Sequence, residues 1–174
     1  MTGIADHDRF VALLEEHKRI LYKVANAYCR NREDRSDLIQ NTVTELWRSF
    51  GHFDGRNRFS TWMYRIAVNV AISFYRSENR RIRETVSIDE FGMDLAAADR
   101  VMEAAGDDVR ILHRLIGQLG ELDRALIILY LDQHSRDGFA GIMGISTTNV
   151  ATKIGRIKQQ LQRDHHAQLA TLRT

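Results

Sequence analysis

Proline is absent from all 174 residues. Nothing therefore forces a break inside a helical pattern, and turns must be set by glycine and by polar caps. Cys29 is the single cysteine. That excludes an internal disulfide and a zinc-finger arrangement, and it fits a reducing compartment, the cytoplasm. Placed among helical core positions, Cys29 reads as a small hydrophobe. No apolar run approaches the roughly 18–20 residues of a membrane span. The start, MTGIADHDRF, has neither the basic beginning nor the apolar stretch of a signal peptide. Period-two alternation, the mark of strands, is missing, and the glycines show no phosphate-cradling spacing. His7, His17, His52, His113, His134, His165 and His166 are scattered, with only the last two adjacent. No paired carboxylates accompany them at ligand or acid–base spacing, which argues against an enzyme or a metal centre and calls for no cofactor.

What is present is helical periodicity and segregated charge. The net charge of +2 conceals three blocks. Between Asp54 and Arg83, seven arginines face two acids; between Glu84 and Asp108, eight acids face Arg100 alone; between Thr147 and Arg163, four basic residues meet no acid. Two basic segments thus flank an acidic one, a statement about partners and not about fold. Apolar residues recur at helical spacing through Phe10, Leu13, Leu14, His17, Leu21, Val24, Ala25 and Tyr28, with Asp6 or Asp8 available as a cap. A second pattern, Ile39, Thr42, Val43, Leu46, Trp47 and Phe50, starts among acids near Asp34 and stops at Gly51. A third runs Phe59, Trp62, Met63, Ile66, Ala67, Val70, Ala71, Phe74. Past Arg83 the apolar residues thin out, which reads as a linker, with a turn of helix at Ala96–Ala98. Periodicity resumes at Val109, Leu112, Leu115, Ile116 and Leu119, then at Leu122, Leu126, Leu129 and Tyr130, with Gly117 and Gly120 at the joint. The fold class expected is all-α: two small helical domains joined by an acidic linker.

Near the C-terminal end, SRDGFAGIMGISTTNVATKIGRIKQQLQ has the spacing of a helix-turn-helix. Phe139, Ala140 and Met143 form the apolar face of a short helix. Gly144 takes the turn, where a positive backbone angle is cheapest for glycine. Ile145 enters the core, and Ser146 or Thr147 caps the next helix. Val150, Ile154, Ile157 and Leu161 form its buried stripe. Its outer side carries Thr148, Asn149, Thr152, Lys153, Arg156 and Lys158, hydroxyls and amides toward the front and cations for phosphates.

The stretch FDGRNRFSTWMYRIAVN, Phe53 to Asn69, interleaves aromatic rings with arginines. On a helical wheel Arg65, Asn69, Ser73, Arg76 and Arg80 share one side, away from Trp62, Ile66 and Val70. A single nucleic-acid strand needs a cationic track, which Arg65, Arg76, Arg80 and Arg81 supply, together with polar or aromatic pockets for its bases. Phe59 and Trp62 read as core; Tyr64 and Tyr75 are open between core and surface.

Together, DLIQNTVTELWRSFGHFDGRNRFSTWMYRIAVNVAISFYR and LGELDRALIILYLDQHSRDGFAGIMGISTTNVATKIGRIKQQL resemble the extracytoplasmic-function sigma subunits of bacterial RNA polymerase, the smallest members of the sigma-70 family. The resemblance runs from about Phe10 to Leu161 and is carried most by F-x-T-W-x-Y-R-I-A-x-N. It implies a sigma-two domain over residues 1–84, a linker over 85–107 and a sigma-four domain over 108–174. It implies a docking face for the polymerase clamp at Asp37, Leu38, Gln40, Asn41, Thr44 and Arg48, with Asn41 where the family usually has an acid. It implies minus-ten recognition and melting by Phe53, Asp54, Arg56, Asn57, Arg58, Ser60, Arg65, Asn69, Arg76, Arg80 and Arg81. Phe53, the loop and Asn69 would hold a base flipped from the duplex. Minus-thirty-five recognition falls to Thr147, Thr148, Asn149, Thr152, Lys153, Arg156 and Lys158, with Ala151 where many relatives have arginine and Gly138 inside the first helix of the motif. Acids such as Asp89, Glu90 and Asp94 would imitate nucleic acid in the RNA exit channel. The implied partners are core RNA polymerase, promoter DNA and an anti-sigma factor, without membrane insertion. The alternative is a helix-turn-helix regulator acting as a dimer without polymerase; the aromatic–arginine stretch, which such a regulator does not need, argues against it.

Overall fold

The computed structural model describes residues 4–81 and 106–172, without the side chains of Ile4, residues 78–81, Arg136, Leu169, Thr171 and Leu172. The acidic stretch up to residue 105, with Asp89, Glu90, Asp94 and Ala96–Ala98, lies outside the described residues. The chain divides into two compact units, residues 1–91 and 92–174, and all regular structure among the described residues is helical. None of these helices is long and apolar enough to cross a membrane.

The first unit holds α1 (Ile4–His17), α2 (Arg19–Tyr28), α3 (Arg32–Ser49) and α4 (Phe59–Arg81), with a 3-10 turn at Phe50–His52 after α3. The first apolar pattern, continuous in sequence, is broken at Lys18, whose carbonyl accepts from Leu21 N at 3.0 Å. The break lets Phe10 of α1 reach Trp47 and Phe50 while Ile20, Leu21 and Val24 of α2 face α3 and α4. Neither Asp6 nor Asp8 caps α1, because the helix already begins at Ile4; Asp6 sits in its first turn, favourable to the helix dipole. The cap of α3 is Asn31. Its Oδ1 accepts from Asp34 N at 2.7 Å, and its amide donates to the Asp34 carboxylate at 2.6 Å. The α-helix ends at Ser49, two residues before the Gly51 expected to stop it, and Gly51 sits in the 3-10 turn that follows.

Helix α4 is rotated from the sequence expectation. Its buried side runs Phe59, Met63, Tyr64, Ala67, Val68, Ala71 and Ile72, whereas Trp62, Ile66, Val70 and Phe74 are only half-buried. Apolar residues cover more than half of this helix, so periodicity alone could not choose which side faces inward. Tyr64, left open by the sequence, is core at 1 % exposure.

The second unit holds α5 (Asp107–Ile116), α6 (Glu121–Leu131), α7 (Arg136–Met143) and α8 (Thr147–Leu172), with α8 packed on the other three. Residues 124–129 of α6 are all buried, which makes it the central helix. Val109, Leu112, Leu122 and Tyr130, read as apolar face, are exposed, and Ile111 takes the inward place instead. Arg124 is the one charged side chain in that central stretch. It is 2 % exposed and donates through Nη2 to the carbonyls of Gly117 (2.7 Å) and Leu119 (2.8 Å). It thereby satisfies carbonyls left over where α5 ends. In the helix-turn-helix, Ser135 Oγ caps α7 by accepting from Gly138 N at 3.1 Å. Gly144 adopts φ 67 and donates to Ala140 O at 2.9 Å. Of the two candidate caps for α8, Ser146 takes the role, its Oγ accepting from Asn149 N at 3.3 Å. A Cβ at Gly138 would stand 3.3 Å from Ser135 Oγ, so glycine leaves room for the cap.

Both tryptophans, Trp47 and Trp62, lie in the first unit, so tryptophan fluorescence reports on that unit within the whole chain. Phe50→Ala should destabilise it by about 3–5 kcal/mol, read as a lower denaturant midpoint by fluorescence. Arg124→Met should cost the second unit about 2–3 kcal/mol by leaving carbonyls unpaired, seen as an earlier loss of far-ultraviolet circular dichroism with the fluorescence midpoint unmoved.

Candidate nucleic-acid interface

In the first unit the loop from Phe53 to Arg58 is held from both sides. Asp54 Oδ1 accepts from Arg56 N at 3.0 Å, and Asp54 Oδ2 lies 3.1 Å from Arg56 Nε. Gly55 adopts φ +74 between them, a turn that an L side chain would strain. Beneath it, Phe53 packs its ring against Trp62 (5.1 Å between centroids), Phe59 (5.5 Å) and Phe50 (6.1 Å). Phe53 and Ser60 are half-buried, while Asp54, Arg56, Asn57 and Arg58 are exposed. The Arg58 carbonyl accepts from Thr61 N and Trp62 N and so begins α4.

Along α4, Arg65, Asn69, Ser73 and Arg76 are exposed at helical spacing on one side. Arg80 and Arg81 end the helix, and their side chains lie outside the described part. Asn69 stands ten residues beyond Phe59, roughly 15 Å along the axis. It opens into a groove of about 650 Å³ between α3 and α4, lined by Asn41, Thr44, Glu45, Arg48, Asn69, Val70, Ser73, Phe74 and Ser77. The structure therefore brings three residues of the expected docking face together with Asn69 of the expected base-capturing set. Asp37 is exposed and Gln40 half-buried, and neither lines the groove. Leu38 belongs to the core at 1 % exposure, so its side chain supports that face without being reachable on it. The floor of Val70 and Phe74 was missed because apolar residues at helical spacing read as core. The available signal was the width of the α4 apolar surface, greater than α2 and α3 can cover.

In the second unit, Thr148, Asn149, Thr152 and Arg156 are exposed on α8, and Thr147 and Lys153 are half-buried. Lys158 departs from this group. At 100° per residue it falls on the opposite flank from Arg156, and its ammonium donates to the Tyr130 hydroxyl at 3.3 Å while lying 5.2 Å from that ring's centroid. Thr152 Oγ1 donates to the Thr148 carbonyl at 3.2 Å. The front of the helix thus offers an amide, a guanidinium and small side chains, a surface shaped for a groove floor and its phosphates.

Residues 13–81 match the family described as Sigma-70 region 2, and residues 110–161 match Sigma-70, region 4. The chain is 26% identical over 162 residues to the RNA polymerase sigma factor CnrH of Cupriavidus metallidurans, covering 87% of this chain and 84% of that protein. It is 24% identical over 150 residues to the RNA polymerase sigma factor SigV of Bacillus subtilis, with 84% of each covered. Among solved structures, CnrH in complex with the cytosolic domain of CnrY superposes with a TM-score of 0.67 at 22% identity, over 92% of this chain and 90% of that one. The sigma factor RpoE of Bartonella quintana, in complex with the anti-sigma factor NepR, superposes with a TM-score of 0.65 at 17% identity, over 90% of this chain and 94% of that one. Two helical units, an arginine-bearing α4 beside a loop on aromatic packing, and a helix-turn-helix thus coincide with the two matched regions: the chain belongs to the sigma-70 family, as an RNA polymerase sigma factor of the extracytoplasmic-function type.

Proposed function

We propose that this sigma factor binds core RNA polymerase in the cytoplasm, reads duplex DNA upstream through α8, and traps the melted minus-ten strand on the first unit, with no catalytic chemistry of its own. The observation that carries this reading is the presence on one chain of a helix-turn-helix and of an α4 exposing Arg65, Asn69, Ser73 and Arg76. Duplex reading needs only the first of these. An exposed cationic and amide track suits a strand whose bases are unpaired. Taking a base out of the stack costs a few kcal/mol, and the half-buried Phe53 with the exposed loop residues Asn57 and Arg58 would supply apolar and polar contacts to offset it. The α3/α4 groove, with an apolar floor and polar rim, suits a protein helix, and the clamp of core polymerase is the occupant we assign to its Asn41–Thr44–Arg48 side. An anti-sigma factor is the second partner proposed, since one of the similar solved sigma factors is complexed with such a protein.

Mixing the chain with bacterial core polymerase should give co-elution and promoter-dependent transcription. Duplex binding with no affinity for core enzyme would instead establish a free-standing regulator. Arg48→Ala should weaken retention of core polymerase. Asn69→Ala should leave retention in place but lower transcription roughly five- to tenfold, the worth of about one lost hydrogen bond, including from a promoter with a pre-melted minus-ten segment. An unaffected pre-melted promoter would remove Asn69 from base capture. On duplex DNA, Arg156→Ala should reduce the salt slope of binding by about 1. Lys158→Ala should change it by clearly less, because that ammonium is engaged with Tyr130.

A further inference from the structure

We propose that Thr152 is a specificity-determining residue of α8 that recognises a thymine through its methyl group, its one hydroxyl hydrogen being committed to the helix itself. The inference rests on the reading of α8 as a duplex-binding helix and adds the chemistry of one contact. A threonine hydroxyl has a single hydrogen to donate, and that of Thr152 goes to the Thr148 carbonyl one turn back, at 3.2 Å. It is therefore unable to donate to the acceptors that guanine or thymine display in the major groove. The group of Thr152 not engaged by that bond is its methyl, Cγ2. The residue lies at 200° from Val150 and 160° from Ile154 on the helical wheel, opposite the buried stripe, and it is exposed. Its neighbour Ala151, also exposed, adds a second methyl where an arginine would add a charge. An apolar group facing the floor of the major groove has one apolar partner there, the C5 methyl of thymine. Asn149, one turn earlier on the exposed side, carries the amide whose two-point partner is adenine. Arg156, one turn later, carries the guanidinium for a phosphate or a guanine.

The contact is testable with holoenzyme assembled from the full chain and core polymerase. Its binding is measured on promoter duplexes in which each thymine of the upstream element is replaced in turn by deoxyuridine, which pairs identically but lacks the methyl. One such replacement should weaken the unaltered protein about fourfold, the worth of one buried methyl group. Thr152→Ser, which keeps the hydroxyl and loses the methyl, should show the same loss on thymine DNA and no further penalty from deoxyuridine at that position. Thr152→Val, which keeps the methyl and loses the hydroxyl, should retain the fourfold deoxyuridine penalty whatever its overall affinity. If the valine variant loses that penalty while the serine variant keeps it, the hydroxyl is the reader and the proposal is wrong. It is equally wrong if no deoxyuridine replacement affects the unaltered protein although scrambling the upstream element does. If scrambling that whole element changes nothing, α8 does not read duplex DNA and both the proposal and the reading beneath it fall.

Discussion

The loop that offers the first unit's candidate bases and charges is fixed by rings, not by covalent or conformational locks. Proline and disulfides are unavailable to this chain, so the nine-residue connection between α3 and α4, a 3-10 turn and a loop, must draw its order from packing. Phe50 is the centre of that packing: it is 4 % exposed and lies within 5.1–6.4 Å, ring to ring, of Phe10, Trp47, Phe53, Phe59 and Trp62. These rings come from α1, α3, the loop and α4, so one cluster ties four pieces of chain to the 3-10 turn at a single point. Aromatic pairs contribute about 0.5–1.5 kcal/mol each beyond area burial, and their edge and offset geometries are directional, so the cluster fixes orientation as well as proximity. His17, stacked on Phe59 at 5.6 Å, closes the cluster on the α1 side. The arginines of the loop are then free to face solvent, because none of them is needed to hold the turn except Arg56, through Asp54.

The second unit reaches definition by another route. Its core is aliphatic, with Phe139 as its one buried ring, and its geometry is set at helix ends. Arg124 closes the α5 terminus from inside. Ser135 and Ser146 cap α7 and α8, and Gly144 turns the chain between them. Caps are worth about 1 kcal/mol each, and they fix where each helix begins. That matters here because the reading face of α8 depends on which residue occupies its first turn. Moving the cap from Ser146 to Thr147 would carry Asn149 from the third position of the helix to the second.

The sequence made these boundaries legible and left the faces partly ambiguous. Glycine at 144 and the stripe Val150, Ile154, Ile157, Leu161 stand as read, since a turn requiring positive φ and an i, i+4, i+7 stripe admit few alternatives. The inward side of α4 was misplaced by one residue because Tyr64, Val68 and Ile72 compete with Trp62, Ile66 and Val70 for the same role. Composition cannot settle which set meets α2 and α3. Arg124 was invisible for the opposite reason: a lone arginine in ELDRALIILYL reads as the solvent side of an amphipathic helix, and only the fold shows two carbonyls converging on it. Lys158 groups with the DNA-facing cations by charge type, which says nothing of flank; that its ammonium meets Tyr130, twenty-eight residues earlier, is visible only in the fold.

A recognition helix with little charge at its front has a physical consequence. With Ala151 and Thr152 facing out and Lys158 against Tyr130, the cations left to meet phosphates are Lys153, Arg156 and Arg163, all behind the first turn, so the sequence-independent part of the affinity rests on few contacts. A module of that kind binds weakly alone. Tethered on one chain to a second unit proposed to engage DNA elsewhere, it would operate at a high effective concentration and need less intrinsic affinity. Weak non-specific attraction then becomes useful, because discrimination depends on the difference between right and wrong sites, and a large phosphate term raises both alike. Arg56, Arg58, Arg65 and Arg76 are exposed on the loop and α4, the side proposed above to meet a flexible single strand. Electrostatic attraction there serves capture of a melted segment, for which sequence-tolerant binding is an advantage. Both helices thus carry cations, but α4 and its loop hold theirs as arginines while the first six residues of α8 hold none.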